Sequence, residues 1–177
     1  SLDAKLRAEL RVELKHIQQN LGATILYVTH DQVEAMTLAD RIGVLREGEL
    51  VQLGTPKEIF EQPKNTYVAE RLGQPSINLV PLSSEWPVQA PANATQLGLR
   101  TDHVQLHSVD TQTQATVPAQ VQRVEYLGDQ TYLHLLCAGQ GLTLLADPAT
   151  LLKEGDGVAL ELVQPLFFDQ SGNRLSA

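Results

Sequence analysis

Cysteine, tryptophan and methionine each occur once in this 177-residue chain, and aromatic residues make up only 5% of it. The single cysteine allows no disulfide within the chain, which fits a reducing compartment. Cys137, set in the apolar run 133–137, reads as a small core residue. No apolar run approaches the ~18 residues of a membrane-spanning helix, and no segment reads as a secretory signal, so any membrane role would pass through a partner. Basic residues are scarce: 13 Lys and Arg against 21 Asp and Glu give a net charge of −8. That balance excludes nucleic acid as the expected partner, since phosphate binding needs a clustered basic surface. No Gly-x-x-x-x-Gly-Lys-Ser/Thr occurs, so no loop offers the backbone cradle, phosphate lysine and Mg²⁺-binding hydroxyl of a P-loop. A Gly-x-Ser-x-Gly elbow is missing too, which leaves a free-standing hydrolase without support. His103 and His107, four apart in an expected strand, lack the further Cys, His or acid that would complete a metal site, so no metal is expected.

Apolar content is an ordinary 42%, and its pattern changes along the chain. Leu6, Leu10, Leu14, Ile17 and Leu21 recur at helical spacing, and Gly22 stands where a helix over 4–21 would close. The short β-branched run 23–28 reads as a strand covered on both faces, so helix and strand together imply α/β architecture with a parallel sheet. Asp31 and Glu34, three apart, predict a capping box at the next helix. A hairpin over 42–53 with Gly48 in its turn is expected next, then a helix opened by Thr55-Pro56-Lys57-Glu58. Pro63 should stop that helix, Asn65 cap another, and Gly73 close it.

Between 74 and 96 periodicity fails among Pro75, Pro81, Pro87 and Pro91. Beyond it, short alternating runs at 97–106, 117–126, 131–136, 142–146 and 158–163 are separated by glycine turns, as in a small barrel or sandwich, with 148–153 a candidate helical plug. The expected domains are therefore 1–73, a joint at 74–96, and 97–177. Lys plus Arg against Asp plus Glu count 9 and 11 through Gly73, and 4 and 10 from Gln74 onward, so the second part carries most of the negative charge. Tyr126, Tyr132, Phe167 and Phe168 could line a ligand groove or fill a core.

His30 falls at the carboxyl end of the expected strand, where open α/β sheets place their ligands, and its imidazole can donate one hydrogen bond while accepting another. Asp3 and Asp31 both stand where helix N-caps are expected. The string Val28-Thr29-His30-Asp31-Gln32-Val33-Glu34-Ala35, with Leu2-Asp3 upstream, resembles the switch segment and the loop after the catalytic acid in ABC transporter ATP-binding subunits of the sugar-importer group. Residues 97–104 and 121–129, with Leu166-Phe167-Phe168-Asp169 and Gly172-Asn173-Arg174-Leu175, are similar to the transport-associated OB module of the same group. Thr101 and Asp102 replace the usual Pro and Glu of that module.

The resemblance implies a C-terminal portion of such a subunit: an α/β remnant of an ABC ATPase domain followed by an all-β OB-like barrel domain. It implies that His30 contacts the ATP γ-phosphate in the parent, and that Asp3 lies in the dimer-interface loop beside ATP. ATP and Mg²⁺ would be cofactors of the intact parent, with none expected on this chain alone. Partners would be a second ATPase subunit in a homodimer, transmembrane permease subunits, and a regulatory protein on the OB domain. The place would be the cytoplasmic face of a bacterial membrane. Two other readings of the residues stand beside it: a stand-alone OB module that captures a small ligand, and a non-catalytic scaffold.

Overall fold

A computed structural model describes residues 4–110, 113 and 115–176. Asp3 lies outside the described residues. The chain divides into two compact units, Ser1–Lys64 and Asn65–Ala177.

In the first unit α1 spans Ala4–Leu21 and Gly22 follows in the left-handed region (φ 59°), as the glycine predicts. Its apolar stripe is open: Leu6, Leu10, Leu14 and Ile17 are each 40–44% exposed. The expected buried strand at 23–28 does not form. The run is irregular backbone, with Leu26 92% and Val28 85% exposed. A strand exists only beside another strand, and among the described residues none lies next to this run. The parallel sheet it implied is likewise not found, because every ladder among the described residues is antiparallel.

The local signals fare better. Helix α2 covers Gln32–Leu38 with Asp31 as N-cap. Lys15 Nζ of α1 donates to Leu38 O (3.1 Å) and meets Asp40 (2.8 Å), fastening α2's far end. Strands β1 (Ile42–Arg46) and β2 (Glu49–Gly54) form the hairpin. Its two turn residues, Glu47 and Gly48, both have positive φ, the hand that suits the twist of paired strands. Helix α3 (Pro56–Glu61) has the full capping box: Thr55 Oγ1 accepts from Glu58 N, and Glu58 Oε2 accepts from Thr55 N.

The second unit opens with α4 (Thr66–Arg71), capped by Asn65, whose side chain accepts from Val68 N. Ten further elements follow in chain order: β3 (Asn78–Pro81), β4 (Gln96–Leu99), a 3₁₀ turn (Thr101–His103), β5 (Val104–Ser108), β6 (Thr116–Tyr126), β7 (Thr131–Cys137), β8 (Gln140–Ala146), β9 (Gly157–Leu162), β10 (Leu166–Phe168) and β11 (Arg174–Leu175). They build a five-stranded sheet, β5-β9-β6-β7-β8, and a four-stranded one, β11-β10-β4-β3. The larger sheet is a half-barrel, since β5 and β8 are its two edges and do not pair with each other. This mostly β unit is consistent with the expected OB-like domain.

Inward residues of both sheets share one core, among them Val80, Leu97, Leu99, Val121, Leu133, Leu135, Leu144, Leu160 and Phe167. At ~25 cal/mol per Å² of apolar surface removed from water, each such leucine is worth about 2 kcal/mol before its entropy cost. Asn78 ties the sheets together. Its Oδ1 accepts from Thr143 N of β8 (2.7 Å), and its Nδ2 donates to Thr143 O (3.0 Å) and Leu99 O (3.1 Å).

The stretch 74–96 supplies β3 and buries Trp86 (3% exposed), whose indole donates to Pro81 O. Two expectations for this unit need correction. The single run 97–106 is broken by the 3₁₀ turn, so His103 and His107 sit in different elements. Residues 148–153 form turns rather than a helix. Asp147 and Asp156 take the Ala149 and Lys153 amides, and such side-chain bonds compete with helical ones.

Candidate functional site

The segment 27–34 is held by a compact network built on two side chains. Asp31 Oδ1 accepts from Val33 N (2.8 Å) and Glu34 N (3.2 Å), which starts α2. Glu34 does not return to the Asp31 amide as the expected capping box requires. Its Oε2 instead accepts from Thr29 Oγ1 (2.7 Å) and Tyr27 OH (3.1 Å), while Asp31 N donates to Thr29 Oγ1 (3.0 Å). The Thr29 hydroxyl thus accepts from the Asp31 amide, the donor that the capping box would have given to Glu34. The phenol's bond to Glu34 raises the Tyr27 pKa above its ordinary value, since ionisation would set two anions together.

His30 lies in the bend between Thr29 and Asp31, exposed to solvent. Both its neighbours are tied to the start of α2, so the backbone carrying the imidazole is fixed while the ring remains accessible. The surroundings are weakly acidic, with Asp31 and Glu34 one and four positions on. The spacing argument anticipated a helix start at Asp31, but nothing in the sequence pattern signalled the role of Tyr27 and Thr29 as anchors.

In the second unit the candidate residues scatter. His103 is buried in the 3₁₀ turn, whereas His107 on β5 contacts Glu161 on β9 (2.9 Å). Among the described residues no three of His, Cys, Asp and Glu converge as a metal site. Phe167 and Phe168 are core, Tyr126 is exposed and Tyr132 half-buried, so the four aromatics form no common groove. Cys137 is buried, and desolvation pushes its thiol up to about 11.

Arg100, which no sequence signal singled out, is also buried. Its guanidinium donates to Leu72 O (2.7 Å) and Ala69 O (3.2 Å), the carbonyls at the end of α4. Burial lowers its pKa to about 10, partly offset by Asp102, so it stays charged at neutral pH. Across β6 and β7, Glu125 Oε2 accepts from Arg123 and contacts His134 Nε2 (3.0 Å). The His134 bond, then Arg123, holds that carboxyl below its usual range.

Comparison with known proteins matches residues 97–164 to the TOBE domain. The chain is 45% identical over 148 residues to the sn-glycerol-3-phosphate import ATP-binding protein UgpC of Vibrio vulnificus, a match covering 76% of this chain and 39% of that protein. The protein of the same name from Vibrio cholerae is 37% identical over 194 residues, covering 98% of this chain and 51% of that protein. UgpC 2 of Rhizobium johnstonii is 39% identical over 163 residues, with 90% and 47% covered. The chain thus spans about half the length, or less, of the curated relatives it matches. The half-barrel thus falls within the stretch that matches the TOBE domain, in a chain that is similar to part of sn-glycerol-3-phosphate import ATP-binding proteins.

Proposed function

We propose that the chain is the C-terminal part of the ATP-hydrolysing subunit of an ABC importer for a sugar or related solute. In this reading residues 1–73 are the end of its α/β catalytic domain, 74–96 the passage out of it, and 97–177 the OB-like regulatory domain. The observation that carries it is the open run 23–28 leading into the fixed bend at His30. Five residues of that strand-type run, 24–28, lie exposed, and the apolar stripe of α1 is open with them. Both are explained if the rest of a catalytic domain supplies the missing strands and cover.

His30 is then the switch residue, placed by the Thr29 and Asp31 anchors so that its ring can bond a γ-phosphate oxygen and the attacking water. Asp3 lies in the loop that faces the second subunit beside ATP. Phosphoryl transfer depends on lysine and Mg²⁺ electrostatics, which one imidazole cannot replace. The residues of this chain form no such cradle, so ATP and Mg²⁺ are held by parts of the parent outside it. The parent acts as a homodimer against transmembrane permease subunits, on the cytoplasmic face of the membrane, and its OB domain receives a regulatory protein.

Two measurements test this. Calorimetric titration of the chain with Mg-ATP is expected to give no dissociation constant tighter than about 1 mM, some 4 kcal/mol of binding. In the intact subunit, His30→Ala is expected to lower hydrolysis about 10²-fold, the usual loss for one transition-state donor, with little change in ATP affinity. A micromolar constant for the chain alone, or full activity of the alanine variant, refutes the reading.

A further inference from the structure

We propose that Thr143, His134 and Glu125 form a nucleophilic site on the outer face of the larger sheet, where the Thr143 hydroxyl accepts the acyl group of an activated ester or thioester. Adjacent strands bring the groups into one row. His134 on β7 stands directly opposite Thr143 on β8 and directly opposite Arg123 on β6. Side chains of such opposite pairs meet on one face of the sheet. The register of β6 shifts between Val121 and Arg123, and this bulge sets Arg123 across from His134, with Glu125 two positions on along the same face.

The bonds along the row have a direction. His134 Nε2 meets Glu125 Oε2 (3.0 Å), and the Thr143 hydroxyl meets His134 Nδ1 (3.3 Å). Glu125 is an anion at neutral pH, its carboxyl held below the ordinary range by His134 and then Arg123. It therefore accepts, so the proton of the neutral ring sits on Nε2 and Nδ1 is left to accept from the hydroxyl. In hydroxyl, imidazole and carboxylate so ordered, a base activates an oxygen nucleophile and a third group orients the base. No sequence elbow announces the site, because each partner comes from a different strand, nine positions from the next.

Thr143 is also held in place from behind. Asn78 Oδ1 accepts from its amide (2.7 Å) and Nδ2 donates to its carbonyl (3.0 Å), while the β-branched side chain is stiff about χ1. Hydroxyl, ring and carboxylate are half-buried rather than sealed, so an acyl donor can reach them. The Thr143 and Leu145 amides are already given to Asn78 and to the Thr101 hydroxyl, so neither is offered as an oxyanion donor. That selects the substrate class: aryl esters and thioesters, whose good leaving groups demand least stabilisation of the oxyanion. In the step, Thr143 Oγ1 attacks the carbonyl carbon and its proton passes to His134 Nδ1. The donor's C–O or C–S bond then breaks as the leaving oxygen or sulfur takes that proton, which leaves an acyl ester on Thr143 with no electron gained or lost. The site lies wholly within the second unit and stands whether or not the importer reading holds.

The test treats the full chain with para-nitrophenyl acetate and locates the acetyl group by mass spectrometry of its peptides. An acetyl ester on Thr143 is expected, forming about 10²-fold more slowly in His134→Gln, a usual contribution of a general base. Thr143→Ser should react at least as fast at the same position, and Thr143→Val, which keeps the shape and the Asn78 bonds, should lose the adduct there. Glu125 is a positioning residue, so Glu125→Gln should slow acylation about 10-fold or more and move the His134 ring proton from Nε2 toward Nδ1 in nitrogen NMR spectra, a shift that a merely structural loss would not cause. Emission of the buried Trp86 shows which variants keep the fold. A Thr143 that stays unmodified, an ester that forms as fast in His134→Gln, an unreactive serine variant, or an acetyl group on His134 in place of Thr143 overturns the proposal. Unchanged rate and ring tautomer in Glu125→Gln overturn the part assigned to that carboxylate.

Discussion

Replacing Asn78 by aspartate is the sharpest probe of how the two sheets of the second unit are joined. The substitution keeps the shape and keeps one bond, since a carboxylate oxygen still accepts from Thr143 N. It removes the two bonds donated by Nδ2 and sets a negative oxygen about 3 Å from the Thr143 and Leu99 carbonyls. Two lost bonds at ~1 kcal/mol each, with roughly 1–2 kcal/mol of repulsion in a half-buried site, give about 3–4 kcal/mol of destabilisation at pH 7. With ~4 °C per kcal/mol for a unit of this size, melting falls by about 12–16 °C.

The pH dependence has a definite sign. Facing two carbonyls, the introduced carboxyl has a folded pKa raised above its unfolded value of ~3.9, so the native state binds the proton more tightly. The penalty is therefore full above the folded pKa and shrinks as pH falls through it, because the protonated acid can donate to one carbonyl. Asn78→Leu, which loses all three bonds and carries no charge, should cost about 3 kcal/mol at every pH. Emission of Trp86, the only tryptophan and buried in this core, follows urea unfolding of the unit directly. An aspartate variant as stable as the parent at pH 7, or one whose penalty is equal at pH 7 and pH 4, would refute the account.

Three other outcomes follow from local geometry. Ala138, with φ 47° in the two-residue β7–β8 turn beside Gly139, occupies a left-handed position that costs an alanine ~1 kcal/mol, so Ala138→Asn should raise the urea midpoint by a corresponding amount. Gly98→Ala should destabilise by about 1–3 kcal/mol in the same assay, because its Cβ would stand 2.8 Å from the Phe168 ring and 3.0 Å from Ile77. The Glu125 carboxyl is held below its ordinary 4.5 by His134 and Arg123, so its stabilisation is present above that value and is lost as pH falls through the depressed pKa. The stability gap between the parent and Glu125→Gln should accordingly close on acidification below about pH 4.5, and a gap that stays constant there would contradict the pairing.

What could be read from the sequence was what depends on near neighbours. Gly22, the Thr55–Glu58 box, Gly48 and Asn65 each act within four residues, and each appears in the structure where its chemistry requires. The run 23–28 shows the opposite case: it has the composition of a buried strand, but a strand is a relation between segments and no partner stands beside it here. Prolines at 75, 81, 87 and 91 obscured β3 and the buried Trp86, because two residues of alternation between breakers give no period to detect. Asn78 was invisible for a related reason, its partner Thr143 being 65 positions away. At the candidate site, His30 stood out by its place and by resemblance, whereas the Tyr27–Thr29–Glu34 anchoring depends on rotamers that no spacing rule encodes.

The same three bonds of Asn78 bear on solubility. β8 is an edge of the half-barrel, and an edge strand offers its amides and carbonyls to any extended segment of another molecule. At Thr143, the middle of that edge, both backbone groups are already taken by a side-chain amide that imitates one residue of a strand and then stops. Two residues on, the Leu145 amide is taken by the Thr101 hydroxyl. An incoming strand finds no continuous ladder to zip along β8, so this edge of the sheet resists intermolecular growth through two side chains, without the cost of a further strand.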